Sequence, residues 1–228
     1  MLKFYYNAGP NPMKVALFLE ESGLDYEPVP IDMRTGDQHK PGYLAINPNA
    51  KAPAIEDDGV AVFDSNAILL YLAEKTGKFL PEGTPEARAG LLSWLMFVAS
   101  GVGPYSGQSV HFKHFAPDQI PYAINRYDFE AERHYGILDA HLGDNHYMLD
   151  ETYTIVDMAV WGWARMISRV MNEEAMSTMP NLKRLMDEIG ARPAADRAVA
   201  LATQHKFKVE MDEEARRVMF PQNLRLAD

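Results

Sequence analysis

Two short segments of the sequence carry backbone groups that could bind a small peptide. Pro53 restricts the residue before it, Ala52, to extended geometry, so the N–H and C=O of Ala52 can face an extended ligand. Asp64 and Ser65 stand where a run of apolar residues predicts the start of a helix. Unpaired backbone N–H groups and a hydroxyl therefore converge there on any bound carboxylate. Such a site suits a small peptide with an acidic end.

A third candidate for chemistry is Asn11, which lies between Pro10 and Pro12 where a first strand gives way to a helix. A helix N-terminus lowers the pKa of a nearby thiol and favours its anion. The asparagine amide can donate a hydrogen bond to that thiolate without carrying charge. The alternative is an ordinary turn or helix-capping asparagine. Because the chain contains no cysteine, any thiol chemistry must use a sulfur that the substrate brings.

Composition limits the partners and the compartment. A chain of 228 residues can form one large domain or two small ones. Its formal charge of −10 argues against nucleic acid and anionic membranes as partners. The N-terminus lacks an apolar signal core, and no apolar run reaches the length of a membrane span. We therefore expect a cytoplasmic protein that acts on a small molecule.

The hydrophobic pattern predicts two different halves. In the first, strand Leu2–Tyr6, a helix ending at Gly23 and strand Tyr26–Ile31 precede a strand, turn, strand and helix built around Ala54–Ala73. This is the thioredoxin-like order, and Pro28 and Pro30 restrict the second strand to a sheet edge or a bulge. We assign residues 1–80 to this α/β domain.

Residues 81–85 form a Pro- and Gly-containing linker, and no useful strand pattern follows it. Residues 86–228 are therefore predicted to form an all-helical domain. A long helix from about Ala87 should be interrupted at Gly101–Pro104, and a further helix is expected over Thr154–Val170. Thr154 and Asp157 have the spacing of a capping box, which is a structural feature.

Several motifs resemble those of cytosolic glutathione transferases, most closely the bacterial Nu class, whose members reduce disulfides with glutathione. The likeness covers essentially residues 1–220 and rests on K-A-P-A-I at 51–55, F-D-S-x-A-I-L-L-Y-L-A-E-K-T-G at 63–77, P-N-x-x-K at 10–14, G-P-Y-S-G-Q-S-V-H-F-K-H-F-A-P at 103–117, R-Y-x-x-E at 126–130 and Y-x-I-V-D at 153–157. It implies a thioredoxin-like domain followed by an all-helical domain, with glutathione as cosubstrate.

The resemblance also implies roles for individual residues. Asp64 is expected to hold the ammonium of the γ-glutamyl unit, and Ser65 its carboxylate. The backbone of Ala52, before a cis Pro53, is expected to pair with the cysteinyl unit. Lys51 and Gln38 are expected near the glycyl carboxylate. Asn11 becomes the catalytic residue, the donor that stabilises the glutathione thiolate.

The resemblance assigns Arg126 to the site of the neighbouring subunit, which makes the homodimer the active unit. An arginine there suits bidentate binding of a carboxylate, although a solvated arginine on a helix surface is the alternative. One departure concerns Gly9. Nu-class members often have a threonine at this place, so a second hydroxyl donor to the sulfur is in question.

We therefore predict glutathione-dependent reduction of small disulfides. The alternatives are conjugation of glutathione to an electrophile and a non-catalytic glutathione-fold binding protein. A metal site is not expected. His111 and His114 have helical spacing, but no third ligand is recognisable and H-E-x-x-H is absent.

Overall fold

The computed structural model describes residues 1–226. Its first half is an α/β unit made of β1 (Leu2–Tyr6), α1 (Pro10–Ser22), β2 (Tyr26–Pro30), a 3₁₀ turn (Asp37–His39), α2 (Pro41–Ile46), β3 (Ala54–Asp57), β4 (Val60–Phe63) and α3 (Ser65–Thr76). The strand order in the sheet is β2-β1-β3-β4. β1 and β2 run parallel, while β3 is antiparallel to both β1 and β4. This is the predicted thioredoxin-like arrangement, with the proline-containing β2 at an edge.

The second half is helical, as predicted. It comprises α4 (Pro85–Phe97), α5 (Gly103–His114), α6 (Pro121–Asp144), α7 (Ile155–Ala164), α8 (Ile167–Val170), α9 (Pro180–Gly190), α10 (Pro193–Gln204) and α11 (Glu213–Met219), with 3₁₀ turns at Ala175–Thr178 and Pro221–Leu226. None of the helices within residues 1–226 is long and apolar enough to cross a bilayer.

Two of the predicted helices differ from expectation in detail. The expected break at Gly101–Pro104 is a π-helical turn, Val98–Val102, which joins α4 to α5 without ending the helix. A wider turn suits Pro104, which has no N–H to donate to the ladder. The helix expected over Thr154–Val170 is two helices, since the α-helical assignment stops at Ala164 and resumes at Ile167. The capping box is confirmed, with Thr154 and Asp157 each bonded to the other's backbone.

The two halves share one apolar core, and α1 lies within it. Residues Met13 to Leu19 of this helix are all buried, because α3, α7 and α10 pack against it. α7 approaches closely at Gly162. A Cβ atom at that position would lie 2.7 Å from the backbone oxygen of Pro10. This contact fixes the start of α1 against the helical half.

Candidate active site

Asn11 is the second residue of α1, and its side chain is held from two directions. The helix N-cap is Gly9, so Asn11 is not the capping residue. The indole Nε1 of Trp163 donates to Asn11 Oδ1 at 2.9 Å, and Ser65 Oγ donates to the same oxygen at 3.4 Å. An indole N–H can only donate, which requires the amide oxygen to face Trp163. The amide Nδ2 is left as a donor, and no described residue accepts a hydrogen bond from it.

Trp163 reaches Asn11 across the boundary between the two halves. It lies on α7 with its ring against α5, where a Cβ atom on Gly103 would come within 3.0 Å of the indole Nε1. Gly103 therefore leaves the space in which the indole lies. The orientation of the proposed thiolate donor is set by a residue 152 positions away in the sequence.

Trp163→Phe is expected to reduce turnover by roughly tenfold. Phenylalanine keeps an aromatic ring but cannot bond Asn11, and a lost hydrogen bond of about 1.4 kcal/mol corresponds to that factor. Steady-state kinetics should show the loss mainly in kcat, because the amide is the donor predicted for the reacting sulfur. Trp161→Phe is the matched control, since no described residue accepts a hydrogen bond from its indole. Equal losses in both variants would contradict an orienting role.

The N-terminus of α3 adds a second group of polar atoms beside Asn11. Asp64 adopts a positive φ of 71° and caps the helix, its Oδ1 accepting from the N–H groups of Asn66 at 2.9 Å and Ala67 at 3.2 Å. Ser65 is buried and its hydroxyl faces Asn11. Asp64 is exposed. A carboxylate and a hydroxyl at a helix N-terminus can bind an ammonium and a carboxylate of one ligand.

A buried lysine lies directly beneath this helix end. Lys14 is only 1% exposed, and its Nζ donates to Ser65 Oγ and to Asn66 Oδ1, each at 3.3 Å. Burial lowers the pKa of Lys14 to about 7, and the nearby charge of Asp64 opposes that shift. Asn66 in turn donates to the backbone oxygen of Leu95 on α4. The hydrogen bonds run without a gap from Lys14 through Ser65 and Asn11 to Trp163.

The loop before β3 supplies the other side of the site. The Ala52–Pro53 peptide bond is cis, as predicted. The backbone oxygen of Lys51 accepts hydrogen bonds from Tyr43 Oη at 2.6 Å and from Asn47 Nδ2 at 2.5 Å. Both donors belong to buried residues. They hold the backbone of Lys51 and Ala52 in place next to Asn11.

Asn11, Lys51, Ala52 and Trp163 line one cleft of about 580 Å³ between the two halves. Asn11, Lys51 and Ala52 lie on the α/β side, together with Asn7, whose Oδ1 accepts from the N–H of Gly9 at 2.8 Å. The facing wall is contributed by α5, α7 and the C-terminal turn, through Gln108, His111, Phe115, Trp163, Phe220 and Gln222. The ring of Phe220 is 5.0 Å from that of His111 and 5.5 Å from that of Phe115.

Five predicted site residues are not among those that line this cleft. Three of them adjoin it, since Ser65 bonds to Asn11 and Asp64 and Pro53 are the chain neighbours of Ser65 and Ala52. The other two, Gln38 and Arg126, have different surroundings. Gln38 is buried in the 3₁₀ turn Asp37–His39, where its Nε2 donates to the backbone oxygen of Met33 at 3.0 Å and its Oε1 has no partner among the described residues. Arg126 is exposed on α6 and forms an ion pair with Glu130 at 2.7 Å. Neither residue lines the cleft that contains Asn11. Their expected contacts with a ligand stay predictions.

The sequence did not single out Trp163, Lys14 or Asn7 as site residues. Trp163 lies in an apolar stretch, where an aromatic residue is most often part of the core, and Lys14 stands at the end of the P-N-x-x-K motif. A lysine among seven buried apolar neighbours in one helix is unusual, because burying an ammonium is costly without partners. A lysine inside an apolar helical run is therefore a sequence signal for a buried, partnered ammonium.

Within the described residues, no group of three or more His, Cys, Asp or Glu side chains is placed to hold a metal.

Comparisons with known proteins agree with the two-part fold. The family model for the glutathione S-transferase N-terminal domain matches residues 1–74, and that for the C-terminal domain matches residues 117–193. The chain is 43% identical over 209 residues to the disulfide-bond oxidoreductase YfcG of Escherichia coli (strain K12), covering 89% of this chain and 96% of that protein. It is 36% identical to the disulfide-bond oxidoreductase YghU of the same strain, over 86% of this chain and 73% of that protein.

Solved structures of glutathione transferases also match the chain over most of its length. A glutathione transferase family member from Pseudomonas fluorescens with two glutathione bound matches with a TM-score of 0.81 and 36% identity, covering 87% of this chain and 92% of that one. A glutathione transferase from Pseudomonas putida, with one glutathione disulfide bound per subunit, matches with a TM-score of 0.81 and 34% identity, over 87% and 90% of the two chains. With both domain models and full-length relatives matched, the chain belongs to the glutathione S-transferase family.

Proposed function

We propose that the protein is a Nu-class glutathione-dependent reductase of small disulfides that acts as a cytoplasmic homodimer. The observation that carries this proposal is the Trp163–Asn11 hydrogen bond, which leaves an oriented amide donor at the N-terminus of α1. In a chain without cysteine, a donor of this kind serves a sulfur that belongs to the ligand. The cytosol keeps its glutathione pool reduced, which is the supply that the reaction needs.

The proposed reaction is two thiol–disulfide exchanges. The thiolate of bound glutathione attacks one sulfur of the substrate disulfide, forming a mixed disulfide and releasing the other half as a thiolate. A second glutathione thiolate attacks the glutathione sulfur of the mixed disulfide, which yields glutathione disulfide and the second substrate thiol. Two glutathiones are oxidised and one disulfide is reduced. The relatives from Pseudomonas that bind two glutathiones or one glutathione disulfide support a site of this capacity.

The proposed binding mode uses the groups around the cleft. The cysteinyl unit pairs with the backbone of Ala52, and its sulfur meets Asn11 Nδ2. The γ-glutamyl carboxylate lies at Ser65 and the N-terminus of α3, with its ammonium at the free oxygen of Asp64. The glycyl carboxylate extends towards Lys51. For Gln38 to meet that carboxylate, its side chain must leave Met33.

Ser65→Ala and Asp64→Ala are each expected to weaken glutathione binding by roughly 1–3 kcal/mol, since each removes a hydrogen bond to a charged group. Titration calorimetry with glutathione measures both values. Ser177→Ala, a serine on the surface turn before α9, is the control and should bind like the parent protein. Unchanged affinity in both site variants would contradict glutathione binding at the start of α3.

The proposed dimer rests on the surface around Arg126. Tyr122 and Phe129, which flank it on α6, are 80% and 58% exposed, and Val60 and Phe63 on β4 are also exposed. Exposed apolar residues of this kind are typical of protein–protein contacts. Arg126 is absent from its own subunit's cleft, yet it is a suitable carboxylate ligand for a facing subunit. Glu130 holds its guanidinium in position.

Mixed dimers test whether Arg126 serves the partner. Asn11→Ala and Arg126→Ala homodimers should both be impaired, whereas the dimer of one with the other should recover one complete site. That site combines Asn11 of one subunit with Arg126 of the other. If Arg126 acted within its own subunit, mixing would restore nothing. Sedimentation should find a dimer at micromolar concentration, and a fully active monomer would contradict the proposal.

Conjugation of glutathione to an electrophile is a second candidate, favoured by the aromatic contact of Phe115 with Phe220 at the facing wall. Parallel assays with a small disulfide and a standard aromatic electrophile separate the two reactions. We expect the disulfide to be the better substrate, because the same wall carries polar side chains from Gln108, His111 and Gln222.

A further inference from the structure

Within residues 1–226, Lys14 is the one buried cation next to the proposed ligand carboxylate, and the proposed reaction does not use it. Its ammonium lies 3.3 Å from Ser65 Oγ, so a carboxylate bound to that hydroxyl would come within a few ångströms of it. The lysine stem passes α7 at Gly162, where a Cβ atom would lie 2.4 Å from Lys14 Cγ. This close packing holds the ammonium at the base of α3 and keeps it from reaching solvent.

We propose that Lys14 is a positioning residue which takes up a proton when the anionic end of the ligand binds at Ser65. This inference rests on the proposed glutathione site. It couples ligand binding there to the uptake of one proton by Lys14. Lys14 itself does not touch the ligand. It acts through Ser65, whose hydroxyl accepts from the ammonium and, in the free protein, donates to Asn11. A serine has one O–H to donate, so on ligand binding that O–H turns from Asn11 to the carboxylate.

The charges around Lys14 explain why its protonation should respond to a ligand. Among the described residues, Asp64 at the start of α3 is the charged group that acts on it, and burial opposes the charged form. The face of α7 presents Gly162, and α4 contributes the backbone oxygen of Leu95 through Asn66. With burial lowering the pKa of Lys14 to about 7, the free protein near neutral pH holds a mixture of both forms. A bound carboxylate adds a negative charge close by, which favours the ammonium.

The sign of the pH dependence follows by linkage. Below the pKa of the free protein, Lys14 is already charged and binding takes up no proton. Above it, binding must be accompanied by proton uptake, so the affinity falls as the pH rises. We expect affinity to decrease by about tenfold between about pH 6 and pH 8. A ligand carboxylate does not titrate in this range.

Calorimetry with S-methylglutathione tests the proposal, because this ligand has no ionisable sulfur. Titrations at about pH 7.5 in two buffers of different ionisation enthalpy give the protons taken up per ligand bound. We expect a net uptake of more than half a proton in the parent protein and none in Lys14→Met, whose unbranched apolar side chain suits the same space. Lys183→Met, on the exposed face of α9, is the control and should match the parent.

The outcomes are distinct. Proton uptake that persists in Lys14→Met, or binding to the parent protein without uptake, would overturn the role of Lys14 while leaving the glutathione site intact. Failure of the parent protein to bind S-methylglutathione would overturn the site and the inference together. If Lys14→Met does not fold, the affinity of the parent protein measured at about pH 6 and pH 8 decides: a pH-independent affinity contradicts the proposal.

Discussion

Replacing Asn11 with alanine is expected to reduce the rate of disulfide reduction by up to about 10²-fold, the loss seen for strong single-donor effects. The helix N-terminus remains in the variant, but the amide that Trp163 orients, which is the proposed donor to the ligand sulfur, is gone. Because the donor acts on the thiolate, glutathione binding should weaken much less than turnover. The pKa in the pH–rate profile should rise towards the usual thiol value of about 8.5.

Asn11→Asp is the sharper companion variant. Aspartate has nearly the same shape and can still accept from Trp163, yet it replaces the donor with a negative charge that repels a thiolate. Its rate should fall at least as far as that of Asn11→Ala, and its pH–rate profile should move further to high pH. Full activity with an unmoved profile in both variants would show that the N-terminus of α1 activates the sulfur alone.

Gly162→Ala is expected to destabilise the fold by about 3 kcal/mol, the upper range for overpacking a tight interior. The added Cβ atom would meet Lys14 Cγ at 2.4 Å and the backbone oxygen of Pro10 at 2.7 Å. A backbone atom cannot rotate away, so α7 and α1 must separate. For a chain of this size the midpoint of thermal unfolding should fall on the order of 10 °C.

Gly136→Ala provides the control for this experiment. Gly136 is an exposed residue of α6, and a Cβ atom there meets nothing within 4 Å. Alanine is the better helix former, so this variant should be neutral or gain up to about 1 kcal/mol. Similar melting temperatures for the two variants would contradict the close contact of α1 with α7. If α1 is displaced in Gly162→Ala, activity should also fall, since Asn11 and Lys14 both lie on α1.

The fold was predictable from sequence because its signals are local. The prolines of β2 restrict it to an edge, Pro53 fixes the loop before β3, and the capping box at Thr154 marks the start of α7. Two helix boundaries differ from the prediction, at Val98–Val102 and after Ala164, and both depend on tertiary packing. The π-helical turn keeps α4 and α5 continuous where Gly and Pro suggest a break.

The site was predictable only in part. Asn11, Ala52 and Ser65 belong to short motifs, and the structure brings them to one cleft or into direct contact with it. The sequence could not place Trp163 in the site, because its hydrogen bond to Asn11 spans 152 residues and no local pattern predicts it. For Gln38, the local sequence pattern predicts the wrong environment. Its position in a polar loop favours exposure, whereas the packing around Met33 buries it.

The most direct test of this account is a pH titration of the thiolate absorbance of glutathione bound to the protein. A chain without cysteine contributes no thiolate of its own, so below the range of tyrosine ionisation the signal belongs to the ligand. We predict a pKa for the bound sulfur at least one unit below the free-thiol value of about 8.5, and a return towards that value in Asn11→Ala. A bound thiol that titrates like free glutathione would contradict the central claim that this cleft activates the sulfur.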